Sequence, residues 1–184
     1  ESLSLARNNW FPLSGLLDLS AGGSGSLDDP RYVLKGTVRD LFAGDEGIGQ
    51  VGGEIGVIQK VVTLKLEAAS SRLAVSGTGR IELTPGRDAD IIFRVTDTSL
   101  DPYVRALEPR LSPFTSAVAS GTIRVAGPLA DMDRLAIEAT VEALDMRLFD
   151  YRLRNAAPLR FALGGNTLRL ADVRLAGEDT ALEL

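Results

Sequence analysis

The sequence predicts an all-β fold: consecutive antiparallel strands in an elongated sheet, with one short helix inserted near 101–108. Three observations predict it. Apolar and polar residues alternate over most of the chain, as in AIEATVEALDMRLFDYRLRNAAPLRFAL at 136–163. Strand follows strand across short turn signals with no long crossover, so neighbours pair as a meander. Two short sequence matches recur in order at nearly one offset, which favours elongation over closure.

In chain order, Ser14-Gly15-Leu16-Leu17-Asp18-Leu19 opens a strand, and Ala21–Ser26 reads as a flexible, glycine-rich turn or break. Asp40–Gly47 reads as a second weak helix or an irregular crossing. Gly44–Gly56 is again rich in glycine. Alternating sets follow: Leu64 and Leu66; Leu73 and Val75; Ile81 and Leu83; Ile91, Phe93 and Val95. Later sets are Ile123 and Val125; Leu135, Ile137, Ala139 and Val141; Leu144, Met146 and Leu148; Leu159, Phe161 and Leu163; Leu168 and Leu170; Val173 and Leu175; Leu182 and Leu184. Each set presents its apolar side chains to one sheet face. Leu144 reads as the start of a new strand, and a bulge there would shift the register after Val141. Pro85-Gly86, Gly127-Pro128, Gly164-Gly165-Asn166 and Gly177-Glu178-Asp179 mark turns.

The helix falls at Leu100–Leu107. Asp101 is placed to cap it, Pro102 suits its first position, and Pro109 should stop it near Glu108. Val104, Leu107 and Leu111 form its apolar stripe.

The internal matches are Leu66–Val75 with Leu175–Leu184, offset by 109, and Ser14–Leu19 with Ser120–Val125, offset by 106. They imply a unit of roughly 105 residues. The chain then divides into a first partial repeat (1–99), a helical linker or end plug (100–119) and a second partial repeat (120–184).

Composition excludes much chemistry. The 184 residues include no cysteine and no histidine. A thiolate nucleophile, a Ser-His-Asp triad and an ordinary zinc site are therefore absent from the expectations. Net charge is −5, from 20 basic and 25 acidic residues, which supplies no single-signed field for nucleic acid. Apolar residues make up 45%, too many for a disordered chain. No apolar run approaches the ~20 residues of a membrane helix. The first residue is Glu1 rather than Met, and the strand pattern is still running at Leu184, so the chain reads as a piece of a longer protein.

Acidic pairs at Asp28-Asp29, Asp88/Asp90, Asp131/Asp133 and Glu178-Asp179 lack the spacing of a helix-loop-helix calcium site and read as solvated turn residues. Gly22-Gly23-Ser24-Gly25-Ser26 lacks the Lys-Ser/Thr and the helix of a phosphate loop. Arg147, Arg152, Arg154 and Arg160 are interspersed with acids. No enzyme, metal or cofactor is expected.

Ser120–Leu135 has a Ser-Gly, a short alternating strand, a glycine and an Asp-containing link. This stretch resembles a recurrent pattern of the TamB-like bacterial envelope proteins and their AsmA-like relatives. Asn155–Leu163, Leu168–Leu184 and the linker-like Arg94–Val104 are similar to that family too. The resemblance covers about 60–184 and is looser over 1–59.

It implies an open β-trough, or β-taco, in a protein that is anchored in the inner membrane and spans the periplasm. It implies an apolar lining that conducts phospholipid acyl chains toward the outer membrane. A barrel partner in outer-membrane protein assembly and adjacent repeats of the same chain would be its neighbours. The candidate lining residues are Phe93, Ile123, Val125, Leu135, Ile137, Val141, Met146, Leu148, Leu159, Phe161, Leu168 and Leu170. Glu138, Glu142, Asp145 and Arg147 fall on the outer face. Tyr103, Val104 and Leu107 are alternative plugs for one end.

Two readings stand at this point: an open conduit, or a structural or adhesive β-module whose same residues form a closed core. In either, naked end strands invite edge pairing between copies.

Overall fold

The computed structural model describes residues 13–26, 29–70, 72–107, 115–165, 167–171, 173–177 and 181–183. Thirteen strands form one antiparallel sheet: β1 (Leu13–Gly25), β2 (Pro30–Ala43), β3 (Glu46–Ile58), β4 (Val61–Ala69), β5 (Ala74–Glu82), β6 (Asp88–Ser99), β7 (Thr115–Pro128), β8 (Ala136–Leu148), β9 (Tyr151–Asn155), β10 (Leu159–Gly164), β11 (Thr167–Ala171), β12 (Arg174–Gly177) and β13 (Ala181–Glu183). Among the described residues there is one α-helix, α1 (Asp101–Leu107), between β6 and β7 in the chain. The sheet is elongated and open, the expected architecture, and β1 and β13 stand at opposite ends of the strand order.

The order β1 to β8 is a plain meander. Beyond it, β9 pairs with the C-terminal part of β8 and β10 with its N-terminal part. β11 lies on β10 and β12 on β9. Thus β9–β10 and β11–β12 are each one long strand, interrupted once at the same level. The Ala156 amide donates to the Arg174 carbonyl at 2.9 Å and ties the two interruptions together.

One row of paired residues crosses the sheet at this level: Leu17, Val38, Val51, Ala68, Val75, Val95, Gly121, Val141 and Leu159. On one side of it the register is regular. On the other side, towards α1, the register shifts between β1 and β2, β2 and β3, β6 and β7, and β7 and β8. Each extra residue bends its strand and increases its twist. Asp40 and Asp97 take positive φ in two of these irregularities, a conformation aspartate tolerates better than branched residues do.

α1 sits at this irregular end and touches β2, β3 and β7. The Leu100 amide donates to the Ala117 carbonyl, and the Ala117 amide donates to Asp101 Oδ1 at 2.7 Å. Asp101 therefore does not spend its carboxylate on the helix N-terminus as the sequence predicts. The carboxylate satisfies β7, and the Ser99 hydroxyl receives the Asp101 amide at 3.4 Å. On the far side, Arg105 reaches Glu46 at 3.2 Å, and Arg72 meets the other oxygen of Glu46 at 2.7 Å. The Tyr103 hydroxyl donates to the Arg72 carbonyl, and burial pushes its phenol above the usual range. Pro102 is fully buried, and Ala43, Ile48, Ala68, Thr98 and Ala119, nearly so, lie at or toward the same end.

Two other expectations are corrected. Asp40–Gly47 is neither helix nor crossing but the β2–β3 hairpin, turning at Gly44 with φ +59. Ala21–Gly25 is not a turn but the end of β1, paired with Arg31–Leu34 and Pro30. There the Tyr32 ring covers Gly23 so closely that a Cβ would stand 2.5 Å from it. Pro109, Leu111 and the expected stop at Glu108 lie outside the described residues. β7 opens at Thr115, so 100–119 holds α1 and the start of that strand.

Candidate functional site

Cross-strand register sorts the side chains into two faces, because directly paired residues point the same way and neighbours in sequence point oppositely. One face carries Leu17, Leu19, Tyr32, Leu34, Val51, Ile55 and Val57 from the first strands, then Val62, Leu64, Leu66, Val75, Ile81, Ile91, Phe93 and Val95. From β7 onward it carries Ile123, Val125, Ile137, Ala139, Val141, Leu153, Leu159, Phe161, Leu163, Leu168 and Leu170. Glycine and alanine fill most of the remaining positions. Gly77 leaves room for the Phe93 ring, which stands 2.8 Å from where a Cβ would be.

Every candidate lining residue that lies in a strand falls on this face. Phe93 pairs with Ile123, Ile91 with Val125, and Val125 with Ile137. Val141 pairs with Leu159, Phe161 with Leu170, and Leu163 with Leu168. Met146 and Leu148 have even numbers while Ile137 and Val141 have odd ones, so an unbroken strand would turn the two sets to opposite faces. The register skips Glu142, pairing Val141 with Gly121 and Ala143 with Ser120. This bulge, at the place the sequence marks, restores Leu144, Met146 and Leu148 to the apolar side. Leu135 precedes β8 and is buried, as is Leu159. The others are half-buried or exposed: Ile123 is 37% exposed, Leu170 51% and Leu168 67%.

Besides α1 and the 3₁₀ turn at Met132–Arg134, no described element forms a second layer. Along much of the sheet, no described element covers the apolar face. The candidate lining began at Phe93 and left out the first half of this face. Leu19, Tyr32, Leu34 and Ile55 are all exposed there, and the signal for the last three was their alternation in YVLKG and EIGV, interrupted by glycine.

The opposite face is charged and cross-linked by ion pairs. Arg39 meets Asp18 at 2.7 Å and Lys35 meets Glu54 at 3.3 Å. Arg124 grips both oxygens of Asp90, at 2.9 and 3.0 Å. That hydrogen bond holds the Asp90 carboxyl below the usual range and raises the Arg124 guanidinium. Asp145 accepts from Arg152 and Arg154, and the Arg152 bond foremost holds its carboxyl down to about 2. Glu138, Asp145 and Arg147 lie on this face, while Glu142 is the exposed bulge residue. Val33, Ile58, Ile92 and Val118 are apolar exceptions on it.

A hollow of about 670 Å³ opens at the irregular end, between Arg39–Phe42, Gly47–Gln50, Ala69, Ser70 and Arg72. Three of its polar side chains are engaged: the Ser70 hydroxyl donates to the Ile48 carbonyl at 2.6 Å, Arg72 is held by Glu46 and Arg39 by Asp18. Among the described residues, no three acidic side chains gather to hold a metal ion, and no helix is long and apolar enough to cross a membrane.

The arrangement separates an aliphatic wall from a hydrated, ion-paired wall within one layer. Compared with known families, characterised proteins and solved structures, the chain matches none.

Proposed function

We propose that the chain is a segment of a lipid-conducting β-trough, of the TamB-like and AsmA-like kind, that carries phospholipid acyl chains along its apolar face. The observation that carries this reading is the aliphatic face itself, aligned by register over most of the sheet and left uncovered. Each CH₂ withdrawn from water onto such a face is worth about 0.8 kcal/mol. An open sheet also lets a charged headgroup stay hydrated, avoiding a burial cost of several kcal/mol. Leu, Val, Ile and Ala place few polar groups on the path, which suits transit better than selective binding or catalysis.

In this reading the chain works in the periplasm, within a longer protein anchored in the inner membrane, beside adjacent repeats and a barrel assembly partner. It performs no enzymatic step. The uncovered face favours a conduit over a structural or adhesive module with a closed core.

Native mass spectrometry with lipid extraction, on protein expressed in the periplasm, tests it. Phospholipid should co-purify, and Ile123→Asp combined with Leu170→Asp should abolish it without unfolding the sheet. Folded protein that carries no lipid and refuses fluorescent fatty acids would overturn the reading.

A further inference from the structure

The two Ser-Gly matches occupy equivalent places in the fold. Ser14-Gly15 lies on β1 where the register with β2 slips, three residues of β2 being spanned by two of β1. Ser120-Gly121 lies on β7 where the register with β8 slips by the same single residue. In both, the extra residue is on the following strand, and glycine is required by the close approach. A Cβ at Gly15 would meet the Arg39 carbonyl at 3.0 Å, and one at Gly121 the Val141 Cα at 3.0 Å, besides the Thr140 carbonyl oxygen. β7 comes six strands after β1 in the sheet. The second match, of the β4–β5 hairpin to the β12–β13 hairpin, is also a step of six once β9–β10 and β11–β12 are each counted as one strand. Sequence offset and strand offset thus agree.

This equivalence says what lies beside a strand of this type. β7 is flanked by β6, with Val95 opposite Gly121, Phe93 opposite Ile123 and Ile91 opposite Val125. The Ser120 hydroxyl seals that junction: it donates to Asp97 Oδ1 at 2.9 Å and accepts the Asp97 amide at 2.8 Å. β1 carries the same Ser-Gly and the same apolar positions, Leu17 and Leu19, yet no described strand lies on its outer side. Leu19 is 58% exposed.

We propose that the outer edge of β1 is a docking site for a strand of the β6 type, supplied by another six-strand unit of the same kind. The incoming strand runs antiparallel, with Val95, Phe93 and Ile91 of its pattern opposite Gly15, Leu17 and Leu19. Its aspartate, in the place of Asp97, takes the Ser14 hydroxyl. An exposed edge offers backbone donors and acceptors to any strand; the side-chain pattern and the Ser-Asp seal select this one and set its register. β13 matches β5, whose outward neighbour is again β6, so among the described residues neither end of the sheet carries a strand of that type beyond it. The proposal rests on the adjacent repeats of the proposed function and names how they join; it does not depend on the lipid, since edge pairing needs no cargo.

The test uses the whole chain and a synthetic peptide of residues 88–99, DADIIFRVTDTS. The chain has no cysteine, so single substitutions report position. With Leu19→Cys in the protein and Ile91→Cys in the peptide, a disulfide should form at least tenfold faster than with Ser20→Cys. Ser14→Ala removes one exposed hydroxyl and should weaken peptide binding roughly three- to tenfold, by fluorescence anisotropy. Asp97→Ala in the peptide should weaken it equally, and the two changes together should cost no more than either. Failure of the peptide to bind, equal binding of a scrambled peptide, or preferential Leu19→Cys cross-linking between two protein copies would each overturn the proposal.

Discussion

The side chain of Asn155 holds the backbone of Leu144: its Oδ1 accepts the Leu144 amide at 2.7 Å. Its Nδ2 donates to the carbonyls of Glu142 at 3.0 Å and Ala157 at 2.9 Å. One amide thereby serves the bulge of β8 and the interruption between β9 and β10, where ladder bonds are lost. Asn155→Leu removes both donor and acceptor and strands partly buried backbone groups. Stability should fall by about 1–3 kcal/mol, read as a lower urea midpoint with unchanged slope. Asn155→Asp keeps an acceptor for Leu144 but sets a carboxylate against two carbonyls, so it should lie no closer to wild type than half that loss.

Much of this was legible in the sequence, and the Asn155 bulge shows how. Two apolar sets of opposite parity, ending at Val141 and starting at Leu144, cannot share a face without one extra residue between them. Parity locates the bulge; it is silent on the side chain that stabilises it, because Asn155 is distant in sequence. The Asp40–Gly47 hairpin was illegible for a related reason. Register slips twice there, between Val38 and Leu41 and between Leu41 and Phe42, which erases the period-two signal. Gly22 and Gly23 look like a turn because glycine is common in turns. Gly23 is instead dictated by the Tyr32 ring across the strand pair. The candidate lining was read from β6 onward, where alternation is dense, and the glycine-broken strands β1–β3 hid the other half.

Gly121 admits no side chain. Gly121→Ala would drive a Cβ into the Thr140 carbonyl and within 3.0 Å of the Val141 Cα, both backbone atoms that cannot rotate away. A loss of about 1–3 kcal/mol is expected from this overpacking, measured by urea unfolding. Gly22→Ala, with nothing within 4 Å of its Cβ position, should be close to neutral and serves as the control.

Asp145 titrates far below an ordinary aspartate. Its carboxyl is held at about 2, chiefly by the hydrogen bond from Arg152 and then that from Arg154, against roughly 3.9 in an unfolded chain. A lowered folded-state value stabilises the fold above the unfolded value, and the benefit is lost as pH falls from about 4 to about 2. A carboxyl carbon titration by NMR should place its midpoint near 2. Arg152→Gln should move that midpoint upward, since Arg154 alone then opposes protonation.

The Arg105–Glu46–Arg72 bridge is partly solvated, so its contribution to global stability should be under about 1 kcal/mol. Its local effect should be larger, because α1 has only two turns and rests on few contacts. Glu46→Gln should speed amide hydrogen exchange at Val104, whose N–H bonds the Leu100 carbonyl, several-fold more than at Ile91 in the sheet. Raising salt should produce the same selective change in the wild type.

Ile123 and Ile92 offer a direct comparison of the two faces. They are similarly exposed, at 37% and 44%, and they lie on adjacent strands. Ile123 faces Phe93 and Ala139 on the aliphatic side; Ile92 faces Thr78 and Arg124 on the charged side. Ile123→Asp places a charge where an acyl chain would run, and desolvating it would cost several kcal/mol. Ile92→Asp places the same charge beside Arg124, where water and a guanidinium already accommodate carboxylates. Binding of a fluorescent fatty acid should therefore fall at least tenfold in Ile123→Asp and stay within twofold in Ile92→Asp. Equal losses would mean that the acyl chain does not distinguish the faces, and the conduit reading would fail with it.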